Sequence, residues 1–261
     1  MGKLAKRIAD KTMLRLIGRH LRAGGLSGEV VTERHKGTPQ GGPLSPLLAN
    51  VLLDEVDKEL EKRGHAFVRY ADDCNVYVRS KRAGERVRAL MRRLFRKLRL
   101  RVNETKIAVS RVWNRKFLGF SFWVARGRKI QPRVASKALA VMKQRVRRLT
   151  RRNCGRTLDQ VVEDLRPYLL GWRAYFGIAA TPGIFRKLDH WIRHRLRAIQ
   201  LKQWRRGRTA YRELTARGVR HSLAASVAAN PRRWWRNSAM ANHRALPTRM
   251  FDDLGLPRLA A

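Results

Sequence analysis

The chain has 261 residues, of which 44% are apolar, so it can bury a core and is not a disordered basic tail. Sixty Lys and Arg residues against 19 Asp and Glu residues give a formal net charge of +41. Because such a charge repels itself in an isolated protein, the composition predicts a polyanion as the permanent partner.

The cysteines and the hydropathy pattern argue against zinc-binding, membrane-spanning and secreted proteins. Cys74 and Cys154 form neither a CxxC pair nor a disulfide framework, which argues against structural zinc. No apolar stretch approaches the roughly 18 residues that cross a bilayer, and the N-terminus has no signal-peptide core. We therefore expect an intracellular nucleic-acid-binding protein with no membrane partner.

The N-terminal part of the chain predicts two helices separated by a loop. Residues 3–23 carry apolar side chains near helical spacing, and Gly24-Gly25 ends this pattern. The turn formers of residues 37–43 indicate a loop. Ser45 then offers an N-cap and Pro46 fits the first position of a helix that runs to about residue 62.

A hairpin pattern follows this helix. The β-rich runs 66–70 and 74–79 are separated by Ala71-Asp72-Asp73. Residues 84–99 then predict a helix, and residues 116–123 predict a strand.

Helical periodicity dominates from residue 135 onward. Residues 135–150 predict one helix, and Thr157-Leu158-Asp159-Gln160 predicts the capping box of a second, which Pro167 should kink or break. Thr181-Pro182 opens a third helix, whose apolar stripe is Phe185, Leu188, Ile192, Leu196 and Ile199. The fold class is therefore α+β, with a mixed part up to about residue 123 and an all-helical basic part after it.

The charge pattern changes at nearly the same place. Between Thr105 and Phe251 the only acids are Asp159, Glu163, Asp164, Asp189 and Glu213. A nearly uniform cationic surface binds nucleic acid with a steep salt dependence, because each neutralised phosphate releases counterions. A solvated charged face is the alternative interpretation.

Tyr70-Ala71-Asp72-Asp73 is the segment that most strongly indicates chemistry. Adjacent carboxylates at a hairpin tip repel each other and are poor strand formers, so they cost stability unless a cation binds them. Mg²⁺ prefers carboxylates together with substrate phosphates, and two such ions stabilise the attacking and leaving oxygens of nucleotidyl transfer. On these four residues alone, an ordinary surface turn is an equally good interpretation.

Two other segments favour the chemical interpretation. The glycines of residues 37–42 let the backbone and the Gln40 amide approach a nucleotide or base pair closely, although an ordinary proline-glycine loop is the alternative. Lys106 could contact a triphosphate or a leaving pyrophosphate, although a surface lysine is the alternative.

Together and in this order, these segments resemble the palm of reverse transcriptases, most closely that of the proteins encoded by bacterial group II introns. The matching palm segments are residues 37–50, 67–73, 103–106 and 116–120. Residues 169–176 resemble the maturase, or X, domain that serves as the thumb. The resemblance covers essentially the whole chain.

The resemblance implies roles for individual palm residues. Asp72 and Asp73 would bind Mg²⁺ in a two-metal site, Asp72 being the stronger candidate for a direct ligand, and Lys106 would be catalytic and face the triphosphate. The residues that would contact the incoming nucleotide are Pro39, Gln40, Gly41 and Gly42. Those that would grip the primer are Phe117, Leu118, Gly119 and Phe120.

The basic residues of the C-terminal part would bind RNA. They are Lys143, Arg147, Arg148, Arg173, Arg232, Arg233, Trp234, Trp235 and Arg236. Residues 232–236 interleave guanidinium and indole groups, which suits stacking on unpaired bases beside phosphate contacts. Core tryptophans flanked by solvated arginines are the alternative.

The resemblance also predicts the domain organisation. A partial palm would cover residues 1–123, a thumb or X domain residues 124–240, and a tail residues 241–261. The paired cysteines and histidines of an endonuclease domain are absent from this sequence, as in group IIC proteins. The family's first palm aspartate and its fingers lie upstream of the helix matched by residues 3–23. We therefore expect an N-terminally truncated chain with an incomplete two-metal site and weak or no polymerase activity alone.

The implied function is that of an RNA-directed DNA polymerase and maturase that acts in splicing and retrohoming. The implied partners are group II intron RNA, an RNA template–DNA primer duplex, dNTPs and target DNA, in the bacterial cytoplasm near the nucleoid. A non-catalytic RNA-binding splicing factor or relic fragment is one alternative. Another bacterial reverse transcriptase, such as one fused to CRISPR adaptation machinery, is a second.

Overall fold

The computed structural model describes residues 1–22, 25–27, 30–32, 42–105, 107–153, 155–240 and 242–260. The chain forms two compact units, Met1–Ser110 and Arg111–Ala261. Helices and small antiparallel sheets occur in both, which confirms the α+β prediction, although the strand at Ile130–Val134 lies in the part predicted to be all-helical. No helix among the residues described is long and apolar enough to cross a membrane. The predicted boundaries at residues 123 and 240 stay predictions.

The first unit contains helices and two antiparallel hairpins. In chain order its elements are α1 (Gly2–Ala5), α2 (Lys11–Arg22), β1 (Gly25–Ser27), β2 (Val30–Thr32), α3 (Ser45–Lys62), β3 (Ala66–Tyr70), β4 (Asp73–Tyr77) and α4 (Lys81–Lys97). Strand β1 pairs with β2, and β3 pairs with β4.

The core of the first unit explains why its helices form. Val56 and Leu60 of α3 are buried together with Val87 and Leu90 of α4, and Phe67 of β3 packs against them. Helical spacing places these apolar residues on one side of each helix. The predicted helices near residues 45–62 and 84–99 are therefore confirmed, with α4 beginning three residues early behind the Ser80 N-cap.

The prediction of a single helix over residues 3–23 is wrong. The chain leaves the helical conformation after Ala5 and resumes it at Lys11. The Asp10 carboxylate accepts hydrogen bonds from the backbone N–H groups of Thr12 (2.7 Å) and Met13 (3.2 Å). A side chain that accepts from these amides caps the N-terminus of a helix. Asp10 therefore marks the start of the second helix, α2.

The second unit joins a three-stranded sheet to a set of helices. Its elements are β5 (Lys116–Phe117), β6 (Phe120–Val124), β7 (Ile130–Val134), α5 (Ser136–Leu149), α6 (Leu158–Phe176), α7 (Pro182–Gln203), α8 (Gly207–Ala216), α9 (His221–Ala229), α10 (Trp234–Met240), α11 (Asn242–Ala245) and α12 (Thr248–Asp253). The strand order is β5-β6-β7, with both pairs antiparallel.

The predicted strand over residues 116–123 is split by a tight turn. Leu118 (φ 49°) and Gly119 (φ 78°) both lie in the left-handed region, so β5 and β6 form a two-residue hairpin. A Cβ on Gly119 would lie 3.2 Å from the Phe176 ring, so a side chain here would be strained in conformation and would also press against that ring.

The helical predictions for the second unit are largely confirmed. The apolar stripe of α7 is buried throughout. The Thr157 hydroxyl accepts from the Gln160 amide N–H (3.3 Å), and the Gln160 side chain accepts from the Thr157 N–H (3.0 Å), which completes the capping box. Pro167 does not break α6, because Leu165 and Leu169 on either side of it are fully buried and hold the helix in place.

The residues after α12 pack onto the helices of the second unit. Leu256 and Leu259 are buried, and the Asp189 carboxylate accepts from the N–H groups of Leu259 (3.0 Å) and Ala260 (2.9 Å). The Arg166 guanidinium donates to the carbonyl oxygens of Leu254 and Gly255, both at 2.9 Å. We call residues 254–260 the C-terminal strap.

Candidate catalytic hairpin and nucleic-acid interface

The β3–β4 hairpin presents Asp72 and Asp73 at its tip. Tyr70 pairs with Asp73, so Ala71 and Asp72 form a two-residue turn and Asp73 is the first residue of β4. Ala71 has φ 52°, in the left-handed region, which costs an L-residue about 1–2 kcal/mol. Strain of this kind is concentrated at functional turns.

The two faces of the hairpin differ in burial. Phe67, Arg69, Cys74 and Val76 are half-buried, and the apolar ones among them pack against the α3–α4 core. Tyr70 remains 63% exposed. Side chains alternate along a strand, so Asp73, which pairs with Tyr70, faces away from that core.

The carboxylates of Asp72 and Asp73 are exposed, and within the described ranges neither has an ion-pair or hydrogen-bond partner. Three acids of the neighbouring helix are paired: Asp54 with Arg7 and Lys58, Glu55 with Lys3, and Asp57 with Arg69. In a chain with a net charge of +41, two adjacent carboxylates with no arginine or lysine partner in the described part of the chain indicate a cation-binding role.

Arg69 connects the hairpin to α3. Its guanidinium Nε donates to Asp57 Oδ1 (2.8 Å), Nη2 donates to Asp57 Oδ2 (2.5 Å), and Nη1 donates to Asn50 Oδ1 (2.8 Å) and the Ala71 carbonyl (2.9 Å). Hydrogen bonding to Asp57 raises the pKa of Arg69. Burial raises the pKa of the Cys74 thiol, which faces Arg69 across the strands, to about 11.

The donor set of the hairpin fits Mg²⁺. This ion binds through one or two carboxylates and completes its octahedron with water and substrate phosphates. Asp72 and Asp73 supply two carboxylates whose oxygens have no hydrogen-bond or ion-pair partner among the residues described. No group of three or more His, Cys, Asp or Glu side chains that could hold a metal occurs among the residues for which side chains are described.

Several predicted palm residues cannot be placed. Pro39, Gln40, Gly41 and Lys106 lie outside the described residues. Gly42 lies three residues before the start of α3, and its carbonyl accepts from the Ser45 N–H (3.1 Å).

The predicted primer-grip residues Phe117, Leu118, Gly119 and Phe120 form the β5–β6 turn of the second unit. The Tyr175 hydroxyl donates to the Leu118 carbonyl (3.0 Å), and the Phe120 ring lies 5.1 Å from that of Phe176. Helix α6 therefore holds this turn firmly from one side.

The second unit contains a cluster of cations on tryptophan faces that sequence analysis did not find as a unit. The guanidinium groups of Arg147 and Arg195 lie 5.7 and 5.5 Å from the centre of Trp191. Arg152 and Lys202 each lie 5.3 Å from the centre of Trp234. We call these six residues the arginine–tryptophan cluster; they come from α5, the segment after it, α7 and α10.

The cations of this cluster have no carboxylate partner in the described part of the chain. Arg195 is half-buried and donates instead to the Thr150 hydroxyl (2.6 Å) and carbonyl (3.1 Å). Burial, and then the neighbouring Arg152 and Arg147, lower the pKa of Arg195. Because these cations repel one another, an external anion would stabilise the cluster.

The predicted RNA-binding residues lie on or near this cluster, with one exception. Lys143, Arg147 and Arg148 are exposed on α5, and Arg232, Arg233 and Arg236 are exposed at the start of α10. Arg173 is exposed on α6, but one of its nitrogens donates to the carbonyl of Arg258 in the C-terminal strap.

The two tryptophans of the 232–236 segment differ in their surroundings. Trp234 is half-buried beneath Arg152 and Lys202. Trp235 is 44% exposed and stacks on His194, with ring centres 3.8 Å apart. Burial lowers the pKa of His194, which favours a neutral ring at pH 7.

Comparison with known protein families finds one match mainly in the first unit and another in the second. Residues 4–122 match the reverse transcriptase (RNA-dependent DNA polymerase) family, and residues 139–218 match the group II intron maturase-specific domain. The hairpin with its two carboxylates lies in the first match, and most of the arginine–tryptophan cluster lies in the second. The fold and the site thus define a protein of the reverse-transcriptase class.

Similarity to individual proteins narrows the class of protein further. The chain is 47% identical over 58 residues to the group II intron-encoded protein LtrA of Lactococcus lactis subsp. cremoris, a segment that is 22% of this chain and 10% of LtrA. It is 35% identical over 63 residues to the protein YkfC of Escherichia coli strain K12, or 24% of this chain and 16% of YkfC. The matched segments are therefore a small part of either relative. With the two family matches in this order, the chain belongs to the reverse transcriptase/maturase family encoded by group II introns.

Proposed function

We propose that the first unit contributes the metal-binding carboxylates of an RNA-directed DNA polymerase, and that the second unit binds intron RNA and the template–primer duplex. The observation that carries the proposal is the pair Asp72 and Asp73, which are exposed and have no cationic partner among the residues that the structure describes, in a strongly basic chain. The reverse-transcriptase family uses Mg²⁺, and two exposed carboxylates suit that ion.

In this proposal the hairpin binds the cation, and the nucleotide substrate binds next to that cation. Bound Mg²⁺ would neutralise charge on the triphosphate and lower the barrier to attack by the primer 3′ hydroxyl. Asp72 and Asp73 provide anionic oxygens at a turn whose geometry is fixed by Arg69 and the β3–β4 ladder. Residues 39–42 and Lys106 would contact the dNTP, and residues 117–120 would contact the primer.

In the second unit, the arginine–tryptophan cluster would bind the phosphate backbone. Its cations lack carboxylate partners among the described residues and are oriented by tryptophan faces, so phosphates can take the place of the missing anions. The exposed part of Trp235 is suited to stacking on an unpaired base. Intron RNA is the ligand that the maturase match suggests, with target DNA as a second polyanion.

The polymerase role is tested by primer extension on an RNA template with the full chain and Mg²⁺. We expect any cDNA synthesis to require the divalent cation and to fall at least a hundredfold in Asp72→Asn, because a ligand of the reacting metal is lost. Asp159→Asn is the matched control, since Asp159 is an exposed acid in the other unit. Extension that is equally strong in Asp72→Asn would refute the role of the hairpin.

The RNA-binding role is tested by filter binding of structured RNA over a series of salt concentrations. We expect affinity to fall by orders of magnitude between about 50 and 200 mM salt. Arg152→Gln should lower the slope of log affinity against log salt by about one, since one phosphate contact is lost. Arg208→Gln removes the same charge from outside the cluster and should leave the slope nearly unchanged. A flat salt response in the unmodified chain would contradict the proposal.

A second candidate function is RNA binding in splicing without polymerisation. It is favoured by the position of the arginine–tryptophan cluster, whose six residues all lie in the second unit while the two carboxylates lie in the first. Stimulation of intron splicing that survives Asp72→Ala, together with no primer extension, would select this function. Loss of splicing in that variant would instead tie the hairpin to both activities.

A further inference from the structure

A small cavity in the second unit lies between two cations of the arginine–tryptophan cluster and the neighbouring Trp235. The residues that line it are Thr150, Arg152, Arg195, Ala198 and Trp235. Its volume of about 30 Å³ is enough for a water-sized atom and too small for a base. One oxygen of a phosphate therefore fits this cavity, and the rest of the nucleotide would lie outside it.

Arg195 is fixed at this cavity with part of its guanidinium unused. Its Nε donates to the Thr150 hydroxyl (2.6 Å) and its Nη2 to the Thr150 carbonyl (3.1 Å). Thr150 is only 1% exposed, and its hydroxyl donates in turn to the Val146 carbonyl (2.6 Å), so the anchor itself is buried. Nη1 of Arg195 has no acceptor among the residues that the structure describes.

Arg152 is the second cation at the cavity. Its side chain is exposed, and its charge acts unfavourably on Arg195. Neither guanidinium has a carboxylate partner in the described ranges. Because guanidinium groups form short, charge-assisted hydrogen bonds with phosphate, a phosphate oxygen between the two would relieve their repulsion.

Trp235 presents an aromatic surface beside these cations. Its ring stacks on that of His194, with centres 3.8 Å apart, and Nε2 of His194 lies 3.0 Å from the Trp235 carbonyl oxygen. His194 therefore fixes the indole and covers one of its faces, while the residue stays 44% exposed. A base that stacks on Trp235 would use the face that His194 does not cover. Only an unpaired base can do so, because neighbouring pairs cover the faces of a base within a duplex.

We infer that this part of the second unit binds a single unpaired nucleotide of RNA, with the base on Trp235 and an oxygen of its phosphate between Arg152 and Arg195. The inference rests on the proposed RNA-binding role of the second unit and names the RNA feature that it selects. A bulged nucleotide offers both groups at once, whereas a continuous duplex offers only phosphates. The site should therefore favour RNA with a bulge over a fully paired helix.

A purely electrostatic surface makes a different prediction. If Trp235 only packs against His194 and the cavity only holds water, affinity should depend on the number of phosphates contacted. A paired stem and the same stem with one extra nucleotide should then bind almost equally. Comparing these two RNAs therefore separates the two roles.

The experiment measures filter binding of two RNA hairpins to the full chain, one with a fully paired stem and one with a single bulged adenosine in that stem. We expect the bulged hairpin to bind about tenfold more tightly, as stacking of one base allows. Trp235→Leu should reduce this preference to less than about twofold, because leucine keeps apolar bulk but has no ring face. Trp235→Phe should keep most of it. Neither variant should change the salt dependence on the paired hairpin.

Trp113→Leu is the matched control. Trp113 is 40% exposed and has the Arg111 guanidinium 5.2 Å from its ring centre, but it does not line the cavity. This variant should keep the tenfold preference. Arg152→Gln should weaken binding of the bulged hairpin more than that of the paired one. Its loss on the bulged hairpin should not add to that of Trp235→Leu, because either change releases the same nucleotide.

Each outcome has a definite meaning. Equal, salt-dependent binding of the two hairpins overturns the inference while the RNA-binding role stands. A preference that survives Trp235→Leu, or that falls equally in Trp113→Leu, overturns it too, and additive losses would show that base and phosphate belong to different nucleotides. Binding that does not respond to salt overturns the RNA-binding role itself. If Trp235→Leu fails to fold by circular dichroism, Arg152→Gln alone decides: equal losses on the two hairpins overturn the inference.

Discussion

At the scale of single residues, the hairpin shows how closely inert and reactive groups can be placed. Cys74 follows Asp73 directly, but its side chain faces Arg69 and the α3–α4 core. Burial disfavours the charged thiolate, which is why the pKa of Cys74 rises to about 11. Cys74 is therefore a packing residue beside a polar site, and its thiol is protonated at neutral pH.

This pKa gives a prediction for thiol chemistry. At pH 8 only about one Cys74 in a thousand carries the reactive thiolate, so alkylation should be far slower than that of a free cysteine. Peptide mass spectrometry after iodoacetamide treatment would measure the rate. It should rise about tenfold for each pH unit up to about 11, and at pH 8 it should rise when urea unfolds the chain. A native rate at pH 8 equal to that of glutathione would contradict the burial of this thiol.

The sequence could identify some site residues and not others. Asp72 and Asp73 are neighbours in the chain, so their pairing was visible without a structure. The partners of Arg69 and of Trp234 were not, because Asp57 is 12 positions from Arg69, and Arg152 and Lys202 come from other parts of the chain. The only available signal was the scarcity of acids after residue 104, which indicates a surface but no particular group.

At the scale of elements, the β5–β6 hairpin depends on one glycine. Gly119 has φ 78°, and a Cβ there would lie 3.2 Å from the ring of Phe176. Gly127 has nearly the same φ, 76°, but open space where its Cβ would be. The two positions therefore separate the conformational cost of a side chain from its steric cost.

Alanine at these glycines should destabilise the chain to different extents. Gly127→Ala should lower the free energy of unfolding by about 1 kcal/mol, through the left-handed conformation alone. Gly119→Ala should lower it by a further 1–2 kcal/mol or so, because Phe176 or the turn must move. Urea unfolding followed by tryptophan fluorescence would measure both. Equal losses would mean that the contact with Phe176 carries no cost.

Helices with a continuous apolar stripe were predictable, and interruptions were not. The stripe of α7 and the Thr157 capping box are local patterns, and both are present. The break before Lys11 depends on Asp10 capping two amides, and the turn at Leu118 depends on a positive φ that bulky residues rarely adopt. Pro167 was expected to interrupt α6, but burial on both sides of it outweighs its cost.

At the scale of the whole chain, acids are few, and Asp189 shows what one of them does. Asp189 is one of the five acids between Thr105 and Phe251, and its carboxylate accepts hydrogen bonds from the backbone of the C-terminal strap. It also lies 3.5 Å from Arg193, a buried cation that pairs with Asp252. The strap is therefore held by charge as well as by the buried Leu256 and Leu259.

Neutralising Asp189 should loosen the strap. Asp189→Asn keeps one oxygen acceptor but loses the charge and the second acceptor, so we expect a loss of about 1–3 kcal/mol in unfolding free energy. Hydrogen exchange should show faster exchange of the Leu259 and Ala260 amides. Glu163→Gln, at an exposed acid of α6, is the matched control and should change neither quantity. Unchanged exchange in Asp189→Asn would show that the apolar contacts alone hold the strap.

Ala71 has a consequence for anyone redesigning this protein. A designer free to choose would put glycine or asparagine at a position with φ 52°, and would gain thermal tolerance by doing so. That gain would come with a looser loop, because glycine samples many more backbone states than alanine. An effort to make the protein more heat-resistant would therefore choose this position early, and would risk blurring the placement of the two acids that follow it.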